Sequence, residues 1–272
     1  YYKREAISWA WEFLFKRLEL PAEKAHIGIY KDDEESYDIW HKEIGVPDNR
    51  IYRLGDESNF WAAGPTGPCG PCSEIFIDKG PEYGCGRDEC NIECDCGRYL
   101  EIWNLVFMQY ERDENGDLSP LPRKNIDTGV GLERLASVLQ GADSNFETDL
   151  FLPVMEAIDA LSTGEDNEEQ KRIIAKRIIA DHIRAMAFLI ADGIIPSNEG
   201  RGYVLRRIIR RAVRTGRTLG INEPFLSRIL PIIIADMGRH YHELRERRDT
   251  IERVCSIEEE RFRSTIEQGE AL

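Results

Sequence analysis

The 272-residue sequence predicts an α+β fold: an antiparallel sheet with flanking helices over residues 1–160, then an all-α domain over residues 161–272. Three observations carry this. Up to about residue 145, short runs rich in β-branched and aromatic residues alternate with amphipathic helical stretches, and Asn115-Gly116 supplies a hairpin turn between two of them. From about Phe146 onward every periodic segment has helical spacing. Residues 161–169, between these regions, are polar, contain Gly164 and lack periodicity, which reads as a linker.

The elements follow in order. A helix over residues 2–18 puts Ile7, Ala10, Trp11 and Leu14 on one stripe. Residues 26–30 alternate as a short strand, and residues 33–43 form a helix capped by Asp32 or Asp33. Residues 51–54 are a second short strand. Residues 75–78 and 99–110 are strands rich in β-branched and aromatic side chains, the latter folding back through Asn115-Gly116. Helices then cover residues 171–190, 203–219 and 240–268.

Composition narrows the function classes. An apolar fraction of 42% supports a packed core and 32% charged residues a solvated surface, which excludes disorder, collagen and a small disulfide scaffold. The best apolar run, residues 229–235, is short and broken by Pro231, well below the roughly 18 residues of a membrane span. Residues 1–11 mix charges into an amphipathic pattern unlike a signal peptide, so a cytoplasmic location is expected. No Met opens the chain and it stops inside a helix-like stretch, so it reads as a piece of a longer polypeptide. The net charge of −14 argues against a nucleic-acid partner. It is unevenly spread: residues 1–165 hold 16 basic and 33 acidic groups, a balance of −17, and residues 166–272 hold 20 and 17, a balance of +3.

Several motifs carry chemistry. Asp127-Thr128-Gly129-Val130-Gly131-Leu132-Glu133-Arg134 joins a strand end to an amphipathic helix. Gly129 and Gly131 let the backbone approach a ligand, the helix start favours an anion, and Arg134 can clamp a phosphate. The plain alternative is an Asp or Thr cap with a surface arginine. An aspartic protease would need a second Asp-Thr-Gly from a symmetric dimer. Cys69-Gly70-Pro71-Cys72 spells a redox pair, but no helix follows to stabilise a thiolate; its glycines and prolines suggest a stiff loop lining a site, with Trp61 and Glu74 at its edges. Cys85, Cys90, Cys94 and Cys96 could wrap a structural zinc, or form a reduced surface insertion. Period-2 alternation in residues 101–109 places Asn104 and Val106 on one face. Arg206, Arg207, Arg210, Arg211 and Arg214 fall on one helical face, with Leu205, Ile208, Ile209 and Val213 opposite. Arginines without lysine or balancing Glu suit phosphate, and Asn198, leading into that helix, could offer an amide to a base edge.

Taken together, these blocks resemble the alanyl-tRNA synthetase family, within the class II aminoacyl-tRNA synthetases. The resemblance rests on residues 59–74, 101–109, 127–134, 180–184 and 198–214, in the family's order along essentially the whole chain. It implies a class II catalytic sheet followed by a helical tRNA-recognition domain, with alanine, ATP and the acceptor stem of the alanine tRNA as partners. On that reading Asp127 pairs with the alanine ammonium and Asn104 holds the substrate. Trp61 and Val106 keep the pocket small, and Gly129 leaves room for it. Gly131 and Arg134 serve ATP, and Mg²⁺ bridges its phosphates with Glu74 or Glu101 helping to hold it. Asn198 reads the G·U pair, while Arg201 and the arginine helix hold backbone phosphates. Neither Cys69 nor Cys72 is then a redox centre, and the Cys85–Cys96 segment is an insertion of some members only. The family's first two motifs and its editing domain are expected in parts of the polypeptide outside this chain, and the isolated piece is expected to be inactive.

Overall fold

Helix α1 (Lys3–Trp11) continues as a π-helical turn to Arg17 and buries Ile7, Ala10 and Leu14. Strand β1 (Ala25–Tyr30) leads to α2 (Glu34–Asp38), whose N-cap Asp33 accepts from Ser36 N at 3.1 Å. A further π-helical turn ends at Ile44, and β2 (Ile51–Leu54) follows. After α3 (Asp56–Asn59) come β3 (Phe60–Ala62), β4 (Gly67–Asp78), β5 (Tyr99–Arg112) and β6 (Leu118–Val130), then α4 (Leu132–Gln140). The second region holds α5 (Leu152–Leu161), α6 (Glu169–Ala191), α7 (Gly200–Thr218), α8 (Leu226–Met237), α9 (His242–Glu246) and α10 (Arg248–Glu270). This computed structural model describes residues 1–87, 89–163 and 168–270.

The sheet runs β2-β1-β4-β5-β6, with β3 on β4. It is mixed rather than wholly antiparallel, because β1 and β2 pair in parallel across the α2 crossover. One face packs Ile27, Ile29, Ile75, Leu105 and Phe107 against Ile7, Leu14 and Trp40. There Trp40 Nε1 donates to Ser73 Oγ at 2.8 Å, and that hydroxyl donates to the Gly28 carbonyl, so the buried polar atoms are partnered. The opposite face carries the chemistry described below.

Three expectations change. The chain divides between Asn145 and Phe146, not at residue 160: Val154 and Ile158 of α5 are buried in the helical core with Ile179, Leu205 and Ile229. Residues 164–167 of the predicted linker lie outside the described residues. Residues 67–72 form the start of β4 rather than a loop, and the predicted helix over 240–268 breaks at Arg247. Within the helical unit the buried Glu259 caps α8, accepting from Phe225 N at 3.0 Å and Leu226 N at 3.1 Å.

Candidate active site

Strand register builds the site. Gly28, Glu74, Asn104 and Gly129 lie opposite one another in one row across four strands, and Cys72, Val106 and Asp127 form the adjoining row. Paired residues share a face, so the sheet brings together Asn104, Val106, Asp127, Gly129 and Glu74. Asn104 Nδ2 donates to Glu74 Oε1 at 3.3 Å, while its Oδ1 is buried without a partner. A buried acceptor left unpaired costs about 1–3 kcal/mol, so this oxygen suits a ligand that donates, such as an ammonium. The Asp127 side chain is exposed and makes no hydrogen bond among the described residues. Above Gly129 an added Cβ would meet nothing within 4 Å. Trp61 stands on β3 opposite Gly70, where glycine is obligatory because a Cβ would lie 2.1 Å from the Phe107 carbonyl oxygen.

A bulge supplies what alternation could not foretell. Register jumps from Ile75↔Trp103 to Phe76↔Glu101, which turns Glu101 onto the face of Glu74. Burial, and then the Glu101 charge, push the Glu74 carboxyl up to about 7, against the Asn59 hydrogen bond and Arg134. Arg134 Nη1 donates to the Glu101 carbonyl and to its Oε2, both at 2.9 Å. The Nε and Nη2 edge of Arg134 has no hydrogen-bond partner among the described residues, which leaves one fork for a phosphate. Gly131 caps α4, and a Cβ there would press on Arg134 Cδ at 3.2 Å. The capping alternative for Asp127 and Thr128 is not what forms: Thr128 Oγ1 instead accepts from Trp103 Nε1 at 2.6 Å and donates to the Asn104 carbonyl.

Asn59 is a site residue the sequence did not single out. It is fully buried, its Nδ2 donating to the Cys72 carbonyl at 3.2 Å and its Oδ1 unpaired. Cys69 and Cys72 are buried in β4. Burial, and then Glu74, raise the Cys72 thiol to about 12, so it is no reactive thiolate. Cys85, Cys90, Cys94 and Cys96 converge, all four Sγ atoms within 4.8 Å of one another. Cys94 lies 3.3 Å from Cys85 and Cys90 lies 3.6 Å from Cys96. The Arg87 backbone N–H, the Cys94 thiol and the Arg87 guanidinium hold Cys85 down at about 6.

The arginine helix does not present one uniform face. Arg206 and Arg210 point to Glu258 of α10, at 3.2 and 2.9 Å, and Glu258 is only 3% exposed. Arg206 also donates to Asn198 Oδ1, so that side chain is held rather than free, its amide nitrogen making no hydrogen bond among the described residues. Arg207, Arg211 and Arg214 have no carboxylate partner among the described residues. With Arg210, His182 and Phe262 they line an open cavity of about 470 Å³. Arg201 is exposed in the first turn of α7.

A six-stranded mixed sheet flanked by helices is typical of the catalytic domain of a class II synthetase. The family model for tRNA synthetases class II (A) matches residues 1–272, and the chain belongs to that family. It is 53% identical over 269 residues to an alanine–tRNA ligase of Carboxydothermus hydrogenoformans, covering 99% of this chain and 31% of that protein. It is 49% identical to an alanine–tRNA ligase of Thermoanaerobacter sp. strain X514, with the same coverage. A third, from Desulfitobacterium hafniense strain Y51, is 53% identical over 99% of this chain and 30% of its own length. The chain thus spans under a third of the length of these curated relatives. No helix among the described residues is long and apolar enough to cross a membrane.

Proposed function

We propose that this chain supplies the alanine pocket, and part of the tRNA-binding surface, of an alanine–tRNA ligase. In the first step an alanine carboxylate oxygen attacks the α-phosphorus of ATP and pyrophosphate leaves. In the second, a ribose hydroxyl of the terminal adenosine attacks the adenylate carbonyl and AMP leaves. Asp127 takes the ammonium, assisted by the unpaired Asn104 Oδ1. Val106 and Trp61 limit the side-chain space to a methyl, and Gly129 keeps the floor open. Arg134 keeps hold of Glu101 while its free edge grips phosphate, with Gly131 giving its side chain room. Mg²⁺, when bound, would neutralise phosphate charge, with Glu74 or Glu101 helping to hold it. The carrying observation is the pair of adjoining rows that set Asp127 beside a buried, unsatisfied Asn104.

In the intact protein, Asp127→Ala is expected to abolish alanine binding while leaving ATP binding within about twofold, read by calorimetry. Equal loss of both affinities overturns the role. An RNA-binding module without catalysis would give no alanine heat in the parent protein either. Because the relatives are more than three times as long, full-rate alanine-dependent pyrophosphate exchange is proposed to need the rest of the polypeptide; wild-type exchange by this piece alone overturns that.

For RNA, Arg207, Arg211 and Arg214, which have no carboxylate partner among the described residues, would hold acceptor-stem phosphates, with Arg201 at the start of the same helix and the Asn198 amide nitrogen donating to a base edge. The four cysteines are proposed to hold a structural zinc. Thiolates about 2.3 Å from a tetrahedral zinc lie about 3.8 Å apart, close to the observed sulfur spacing, and Arg87 offsets their charge. Four thiolates leave no open position, so such a zinc is not catalytic.

A further inference from the structure

The cysteine loop reaches the open face of the sheet through Ile92. Ile92, between Cys90 and Cys94, is buried with Leu54 and Phe76 in a small core of their own. Beneath it lies Gly28: a Cβ built there would sit 3.4 Å from Ile92 Cδ1, 3.4 Å from Asn59 Nδ2 and 3.2 Å from Leu54 Cδ1. The missing side chain at Gly28 is therefore the seat of Ile92, and Gly28 pairs directly with Glu74. The Tyr99 hydroxyl donates to the Cys90 carbonyl at 3.4 Å, and its ring packs edge-on against His26. The row Gly28–Glu74–Asn104–Gly129 is thus covered at its Gly28 end by the loop and open at Gly129. One buried isoleucine does not offset the entropy of ordering a dozen loop residues, whereas a metal joining four thiolates does.

We propose that the cysteine loop is a metal-held end wall of the active site, in which zinc keeps Ile92 seated on Gly28 and Ile92 keeps Asn59 and Glu74 positioned to bind the aminoacyl-adenylate. The inference rests on the zinc and synthetase readings above. Ile92 is a positioning residue: it and Asn59 Nδ2 both border the space over Gly28, away from the reacting atoms. Zinc occupancy then governs substrate affinity from outside the pocket.

The test uses the intact protein, Ile92→Ala, Ile92→Val and Cys90→Ser. Zinc is counted by atomic absorption, and a non-hydrolysable alanyl-adenylate analogue is titrated by calorimetry. Ile92→Ala is expected to retain one zinc per chain and to weaken the analogue about tenfold, with Ile92→Val restoring most of the loss. Cys90→Ser is expected to lose zinc and weaken the analogue to a similar degree. Parental affinity in Ile92→Ala, or in zinc-free Cys90→Ser, overturns the wall while leaving the zinc and synthetase readings intact. A parent protein without zinc overturns the wall together with the zinc reading. A parent that binds zinc but not the analogue overturns it together with the synthetase reading.

Discussion

Glu74 carries the most costly charge on the open face. Its carboxyl is pushed from 4.5 up to about 7, by burial first and Glu101 second. Between those values the folded protein holds a proton that the unfolded chain has released. Stability therefore falls as pH rises through that window, with the full penalty present above about 7. The gap corresponds to at most about 3 kcal/mol, less whatever solvent still screens Glu74. Glu74→Gln is expected to match the parent near pH 4 and exceed it by on the order of 1–3 kcal/mol near pH 8; urea midpoints with the same pH dependence in both proteins would refute this. Asp127 behaves oppositely. Its side chain is exposed and makes no hydrogen bond among the described residues, so Asp127→Ala is expected to shift stability by no more than about 0.5 kcal/mol, which separates its ligand role from a folding role. Alternation alone made the shared face of Asn104 and Val106 legible, and the Asp-Thr-Gly-Val-Gly motif pointed to Asp127 and Gly129. The bulge that rotates Glu101 has no compositional mark. Asn59 sits in a polar Asp-Glu-Ser-Asn stretch and becomes buried only through pairing distant in sequence.

At the scale of elements, α7 shows what periodicity contains and what it omits. The spacing of its arginines fixes their angle around the helix but not which neighbour waits there. Glu258 lies 48 residues beyond Arg210 and takes two of the five. Arg207→Ala, Arg211→Ala and Arg214→Ala are each expected to weaken acceptor-stem RNA and lower the log–log salt slope by about 1, with stability unchanged. Arg206→Ala and Arg210→Ala are expected to destabilise the helical unit by about 1–3 kcal/mol, because each strips a partner from a buried carboxylate. Filter binding across a salt series and guanidinium melts check both halves; a stable Arg206→Ala/Arg210→Ala double variant would sink the second. Strand β4 offers the matching lesson. Pro68 and Pro71 read as loop residues, yet both lie within the strand: Pro68, second in β4, pairs with Glu111, and Pro71 falls in the register shift between Cys69 and Cys72.

For the molecule as a whole, moving the division from residue 160 to Asn145 changes the electrostatic argument. Residues 1–145 hold 16 basic and 28 acidic groups, a balance of −12; residues 146–272 hold 20 and 22, a balance of −2. The helical unit is close to neutral, so its reading as an RNA surface rests on Arg207, Arg211 and Arg214, without a carboxylate partner among the described residues and lining one cavity, and not on net charge. The α+β-then-α order was legible because helical and strand periods differ. The boundary was not, because a polar linker after α5 says nothing about which core α5 enters. Each unit has its own core, one built on Ile7, Trp40 and Phe107, the other on Ile179, Leu205 and Ile209, with no buried residue in common. Cooperative unfolding is a property of a core, so calorimetry is expected to resolve two transitions. Ile209→Ala removes a fully buried side chain, costing about 2–5 kcal/mol. It should lower one transition by on the order of 10 °C and leave the other in place, and Phe107→Ala should do the reverse. A single transition that both substitutions lower equally would show instead that the two cores melt as one.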